Sequence, residues 1–391
     1  MQNISANDFL KTAVDTAEFF GFRSPEELKK APECRACKEK MESNDSAAER
    51  KKDDMHGMLT NGLTSYCDAR LNAKEGPSLF YTTEKVPRTG DAAISLQVYG
   101  VEKSIAEAIL IQSVRSLLNE VGYTNHSVRV NSLGDPDSVT RYVRELTNYL
   151  RKRIDHMPIS ARELMKDHAL TALMHLIEKG DELGLKSPSP LEYLSDSSRK
   201  HFREIVEYLD MSETPYEIDP KLMGHHHCYT DAIFAVDVFD EEGKILDPQP
   251  IYVRGGRYNE FINRSTKNKV SAVGAVVVLR EKKAPARTPR PSLSTVPSVY
   301  IVQLGFGPKV RSLLMIDELR KAGIQVHQDL ACDSLSTQLR DAEAKKVKHT
   351  IIIGQKEYVE GTVILRDMEA RSQEHVPQSQ LASRLRRTVS V

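Results

Sequence analysis

CYTDAIFAVDVFDEEGKILDPQPIYVRGGRYNEFI, residues 228–262, decides the architecture. Two runs rich in Val, Ile, Phe and Tyr flank EEGK, a polar stretch with a glycine that serves as a hairpin turn. Strands joined by so short a turn run antiparallel, because parallel strands need a crossover of a dozen residues or more. Long helical patterns lie on the amino-terminal side of this hairpin, among further strand-like runs. That order suits an α+β domain built on an antiparallel sheet, and argues against a parallel βαβ sheet.

Working outward, ANDFLKTAVDTAEFFGF sets Phe9, Leu10, Val14, Ala17 and Phe20 at helical spacing, with Gly21 as its stop. SLFYTTEK and AAISLQVYGV read as strands around the turn signal PRTGD, and SIAEAILIQSVRSLLNEVGY as an amphipathic helix closed by Gly122. HSVRVNSLGD is a short strand and SVTRYVRELTNYLRKRI a helix with a charged outer face. Residues 160–210 read as a small helical insertion. Residues 31–58 are charged and poor in aliphatics, which predicts a mobile surface insertion. The basic, proline-rich stretch 284–297 is the clearest linker. Beyond it strands and helices alternate as a small α/β unit over 298–391. The division expected is therefore 1–283, linker, 298–391.

Lys+Arg and Asp+Glu are equal at 55 each, so no overall basic excess points to nucleic acid, although a local patch remains open. No apolar run reaches the ~18–20 residues that span a bilayer, and the start lacks the order of a secretory signal. Five cysteines, an odd number, suit a reducing compartment, and the cytoplasm is expected. Cys34 and Cys37 form a lone CxxC, read as plain thiols in a polar loop. Ahead of the hairpin stands MGHHHCYTDAIF. On a strand, His225 and His227 would share one face while His226 and Cys228 take the other. Two imidazoles begin a zinc site, but three or four ligands must close it, and no others stand at metal spacing nearby. No metal is expected.

Several blocks, in order, resemble the histidyl-tRNA synthetases, which are class II aminoacyl-tRNA synthetases. They are VNSLGDPDSVTRYVRELTNYL (130–150), the segment 189–222, GGRYNEFI (255–262) and the carboxy-terminal stretch from SLSTQLRDAEAKK onward. The similarity runs over most of residues 75–391 and is patchy before that. It implies a class II synthetase-like antiparallel sheet with flanking helices, a small α/β anticodon-binding-like domain, and a homodimer. The family joins histidine to ATP as an adenylate, then passes the acyl group to tRNA. Negative charge gathers on phosphate in the transition state, so positioned arginines and Mg²⁺ supply stabilisation, each worth on the order of a hundred-fold in rate.

Against that pattern the resemblance puts Thr83 at the phosphate-gripping arginine of the second signature motif. Aligning from the following GVE puts Glu84 there instead. The family's arginine-glycine pair followed by LDYYTGTVFE meets GHHHCYTDAIFA, with Gly224 in place of the catalytic arginine. In the third motif Glu281 takes the arginine position and Arg280 is one place off. The glutamate of the family's LRPEGT strand meets Gly62 of LTNGLT. The pocket so implied draws on Gln97, Glu102, His225, His227, Tyr229, Gly255, Gly256, Arg257 and Tyr258, with Arg257 equally readable as a brace for its glycine turn. In the last domain Arg340, Lys345, Lys346 and Lys348 could meet tRNA phosphates, with Tyr358 as the one ring for base stacking.

Three functions are consistent with this pattern. The leading one is a catalytically silent paralogue that binds tRNA, a partner enzyme or a histidine-like ligand and needs no cofactor. A histidyl-tRNA-synthetase-like regulatory subunit of histidine biosynthesis is a precedent, but it lacks the last domain. The second is a divergent histidine–tRNA ligase using ATP and Mg²⁺. The third is a metal-binding protein on the same scaffold.

Overall fold

A computed structural model describes residues 4–28, 55–69, 71, 76–85, 91–224, 229–266, 269–280 and 299–389. The linker 284–297, most of the expected insertion 31–58, and Cys34 and Cys37 lie outside the described residues. Residues 55–58 open a helix, Met55–Asp68, so the insertion expected over 31–58 ends earlier than its composition suggested.

The larger unit is built on seven strands: β1 (Ser78–Lys85), β2 (Ala92–Tyr99), β3 (His126–Ser132), β4 (Tyr216–Ile218), β5 (Thr230–Val238), β6 (Ile251–Arg257) and β7 (Ala272–Leu279). Their order is β1-β2-β7-β6-β5-β3-β4, and every pairing is antiparallel except β3 with β4. β5 and β6 pair antiparallel as expected, but residues 239–250 join them, and EEGK closes only an isolated bridge between Phe239 and Ile245. Helices at 159–167, 169–178, 182–185 and 196–211 make up the helical region between β3 and β4.

The two faces of this sheet differ, and strand alternation assigns each side chain to one of them. The back face carries Ala92, Ile94, Leu96, Val98, Phe234, Val236, Val273, Ala275 and Val277 against the helix Ile105–Glu120. The front face carries Phe80, Ala93, Tyr99, Ile233, Ala235, Val276 and Val278, and the helix Met55–Asp68 lies over part of it through Leu63 and Tyr66.

The carboxy-terminal unit is a five-stranded sheet of β8 (Val299–Gln303), β9 (Val326–Gln328), β10 (His349–Ile353), β11 (Thr362–Asp367) and β12 (Gln373–Pro377). The order is β12-β11-β10-β8-β9, parallel among β8, β9 and β10 and antiparallel beyond. Its helix Phe306–Lys321 packs on the outer side of Ile105–Glu120. Ser116 Oγ donates to Asp317 at 2.8 Å, and Arg320 bridges Glu120 and Asp317, each at 2.9 Å. This contact corrects the amphipathic reading of residues 104–123. The helix there is buried on nearly all sides, because a second domain covers the face that a lone domain would leave wet.

Candidate functional site

The register of β1 with β2 sets Thr83 and Glu84 on opposite faces of the sheet. Thr83 pairs with Ile94, a back-face residue, so its side chain points to the back of the sheet. Glu84 pairs with Ala93 and rises on the front face, where Asn61 of the covering helix donates to its carboxylate. Of the two aligned positions, the one on the front face is thus a carboxylate.

Gln97, two pairings along on the same face, is fully buried. Its amide donates to Ser95 Oγ at 2.5 Å, and its carbonyl accepts from the Tyr258 hydroxyl. Gly62 packs directly on it: a Cβ at residue 62 would lie 2.6 Å from Gln97 Nε2. The LTNGLT segment is helical here, unlike the strand the resemblance implied, and it closes the space beside Gln97. Tyr66 continues the cover, 4.5 Å from the Tyr99 ring.

At Gly224 the space is also taken. A Cβ there would sit 2.2 Å from Cδ2 of Tyr229, itself buried, so no side chain fits unless that ring moves. Gly256 meets the same ring, with a Cβ contact of 2.8 Å to Tyr229 Cδ1. The strand alternation places Gly255 on the opposite face, against Phe234. His225, His227, Cys228 and Glu281 lie outside the described residues, as does Arg88. Among the described residues no group of three His, Cys, Asp or Glu could hold a metal ion.

Arg257 occupies the back face, away from Gln97, Tyr229 and Tyr258. Burial there demands a partner, and it has a bidentate one: Nε and Nη2 donate to the two carboxylate oxygens of Glu107, both at 2.8 Å. Nη1 adds the Val101 carbonyl at 3.1 Å and the Ser271 hydroxyl. His201 Nε2 meets the same Glu107 carboxylate at 3.0 Å. Burial works to raise the Glu107 carboxyl, but Arg257 and His201 prevail and hold it at about 2. Burial works to lower His201, yet Glu107 raises it overall. Glu102, assigned to the pocket from sequence, lies instead on a separate polar cleft of about 440 Å³ shared with His201, Asp231 and Ser271. Asp231 stands at φ 49° beside a register shift in β5, and burial raises its carboxyl. The predicted pocket is therefore split. Gln97, Tyr229, Gly256 and Tyr258 come together, whereas Glu102, Gly255 and Arg257 belong to the other side.

In the last domain Arg340, Lys345, Lys346 and Lys348 are exposed. Lys345 is partly occupied, paired with Asp341 and 5.6 Å above the Tyr300 ring. Tyr358 lies past the opposite end of β10 from Lys348, packed on Gly307, so the ring and the basic group do not form one surface.

Sequence reasoning missed one residue of the front face. Arg254 alternates with Tyr252 and Gly256 and so lies on the front face, where its Nε is buried without a partner. A charge inside an otherwise apolar strand was the available signal.

An antiparallel sheet flanked by helices, with a parallel-centred second sheet docked on its back, defines a synthetase-like scaffold. The carboxy-terminal unit matches the anticodon binding domain family over residues 309–388. A histidine–tRNA ligase of Thermotoga maritima is 28% identical over 302 residues, 76% of this chain and 70% of that protein. One from Desulforamulus reducens is 24% identical over 328 residues, covering 80% of this chain and 76% of the relative. The apo histidyl-tRNA synthetase of S. aureus shares the fold, with a TM-score of 0.51 at 16% identity over 96% of this chain and 94% of that one. The chain is thus similar to histidine–tRNA ligases over about three quarters of its length, and its carboxy-terminal unit matches the anticodon binding domain.

Proposed function

We propose that this chain is a histidyl-tRNA-synthetase-like binding protein that does not form the aminoacyl adenylate. The observation that carries this reading is the crowding of the front face. Glu84 replaces a cation, Tyr229 fills the space at Gly224, and the covering helix seats Gly62 on Gln97. A family reaction that depends on guanidinium groups around phosphate loses them at positions 84 and 224. The exposed basic group at Arg340, Lys346 and Lys348 supports a role in holding tRNA through phosphate contacts. Such a protein would act as a homodimer in the cytoplasm, with tRNA or a partner enzyme as its target. No helix among the described residues is long and apolar enough to cross a membrane.

A second reading, a divergent ligase with ATP and Mg²⁺, draws support from Arg254 and Arg280. Both lie at the front side of the sheet, and Arg280 is 4.9 Å from the Tyr252 ring centre. Filter binding and charging of the same tRNA preparation separate the two. We expect salt-dependent retention of a histidine tRNA transcript with no transfer of labelled histidine. Charging at the rate of an ordinary ligase would overturn the binding reading.

A further inference from the structure

The helices Ile105–Glu120 and Phe306–Lys321 join the two units, and the contacts between them link like ends. Near the carboxy ends Ser116, Glu120, Asp317 and Arg320 form a closed group, with the Glu120 and Arg320 side chains each 7% exposed. Near the amino ends the contact is of another kind. Lys103, just before the first helix, reaches the Asp333 carboxylate, and these two side chains are 63% and 47% exposed. Asp333 belongs to the loop between β9 and the helix Leu335–Ala344. Its other oxygen lies 2.5 Å from Nζ of Lys309, whose side chain is 4% exposed. Lys309 stands in the first turn of Phe306–Lys321, the end where the helix dipole disfavours a cation. Among the described residues its ion pair is with Asp333 alone.

One carboxylate thus serves two ammonium groups, a buried one in its own unit and an exposed one on the other. The two contacts lie on the order of 12–16 Å apart along the helix at 1.5 Å per residue. Salt screens charge pairs that stand in water and acts much less on buried ones. We propose that Asp333 is a salt-sensitive latch between the units. Closed, it clasps Lys103 and holds the loop 329–334 and the start of Leu335–Ala344 against the large unit. Open, it keeps Lys309 and releases Lys103. That end of the interface then parts, while the contact of Glu120, Asp317 and Arg320 stays shut as the pivot. The lysine side of the latch is fixed, because Arg257 donates to the carbonyls of Val101 at 3.1 Å and Lys103 at 3.4 Å. Gln328, whose amide donates to the Phe20 carbonyl at 2.9 Å, is an uncharged contact five residues before Asp333 and limits how far the loop moves. This device is independent of the chemistry of the front face.

Amide hydrogen exchange of the full chain, read by mass spectrometry at low and high salt, tests the latch. In the parent protein, salt at roughly 0.5 M should speed exchange about threefold in segments 101–104 and 329–334, as befits a weak surface pair. Segments 113–120 and 316–321, at the pivot, should not respond. Lys103→Met should show the faster exchange already at low salt and gain nothing more from added salt. Lys103→Arg keeps the charge and should keep the salt response. Asp333→Asn should act more strongly, on the order of a hundredfold in 329–334 and in the first turn of Phe306–Lys321, because it leaves Lys309 buried without a counter-charge. Should Asp333→Asn fail to fold, the two Lys103 variants decide alone. Three results would each overturn the latch: no salt response in the parent, a response that survives in Lys103→Met, or one of equal size at both ends of the interface.

Discussion

Arg254 and Arg257 lie three residues apart on one strand and lead opposite lives. An odd separation sends them to opposite faces of the sheet. On the back face Arg257 meets a buried carboxylate, two backbone carbonyls and a hydroxyl, and every donor direction is used. On the front face Arg254 is half-buried, and its Nε has no partner. The first arginine is part of how the sheet holds its helix. A positively charged side chain in a glycine-rich turn therefore says little about function until its face and its partners are known.

The largest effect should come from breaking the saturated side. Arg257→Met leaves Glu107 buried beside a neutral thioether, which should cost on the order of 3–5 kcal/mol of unfolding free energy in a denaturant titration. A loss below about 1 kcal/mol would place Arg257 among the ordinary surface arginines. The same substitution at Arg254 should leave stability unchanged or improved, so the pair of variants measures the asymmetry directly.

Acid should be the next largest perturbation. Arg257 and His201, working against burial, hold the Glu107 carboxyl at about 2, below its ordinary value of 4.5. Its contribution is therefore present above about pH 4.5 and lost as pH falls toward 2, on the order of 3 kcal/mol in all. Burial raises the Asp231 carboxyl, which offsets part of this acid limb. His201 behaves oppositely. Its folded value is raised by Glu107 against burial, so its contribution is full below pH 6.5 and disappears as pH climbs through the raised value. Stability measured by urea melts should fall at both ends, and His201→Gln should remove the alkaline fall while leaving the acid one. An alkaline limb unchanged in His201→Gln would show that another group titrates there.

How much of this was legible in the sequence varied with the distance over which the deciding contact acts. The antiparallel pairing of β5 and β6 was readable from their alternation, although the connection between them, residues 239–250, is longer than the EEGK turn suggested. The partner of Arg257 was not, because Glu107 lies 150 residues away on a helix. The same holds for residues 105–120, whose second covering surface arrives from the far end of the chain. Thr83 and Glu84 differ by a single residue of register, which puts their side chains on opposite faces. LTNGLT resembled a strand, yet it folds as a helix over β1 and β2, where Gly62 permits a close approach to Gln97.

Two smaller effects sharpen the picture. Gly224→Ala places a methyl group against the Tyr229 ring, and overpacking of this kind should cost about 1–3 kcal/mol by denaturant titration. A neutral result would mean that Tyr229 moves readily and that the front face can open. Lys348→Gln in the exposed basic group should change stability by less than about 0.5 kcal/mol. If that lysine meets a tRNA phosphate, the slope of log K against log salt should become shallower by about 1. An unchanged slope removes Lys348 from the interface.

Histidine-dependent exchange of pyrophosphate into ATP asks whether the front face still performs adenylate chemistry, without relying on tRNA at all. With purified full-length protein, Mg²⁺ and saturating histidine, we expect exchange no faster than in the absence of histidine. Histidine-dependent exchange at the rate of an ordinary ligase would show that the crowded face opens and that its relocated arginines serve catalysis.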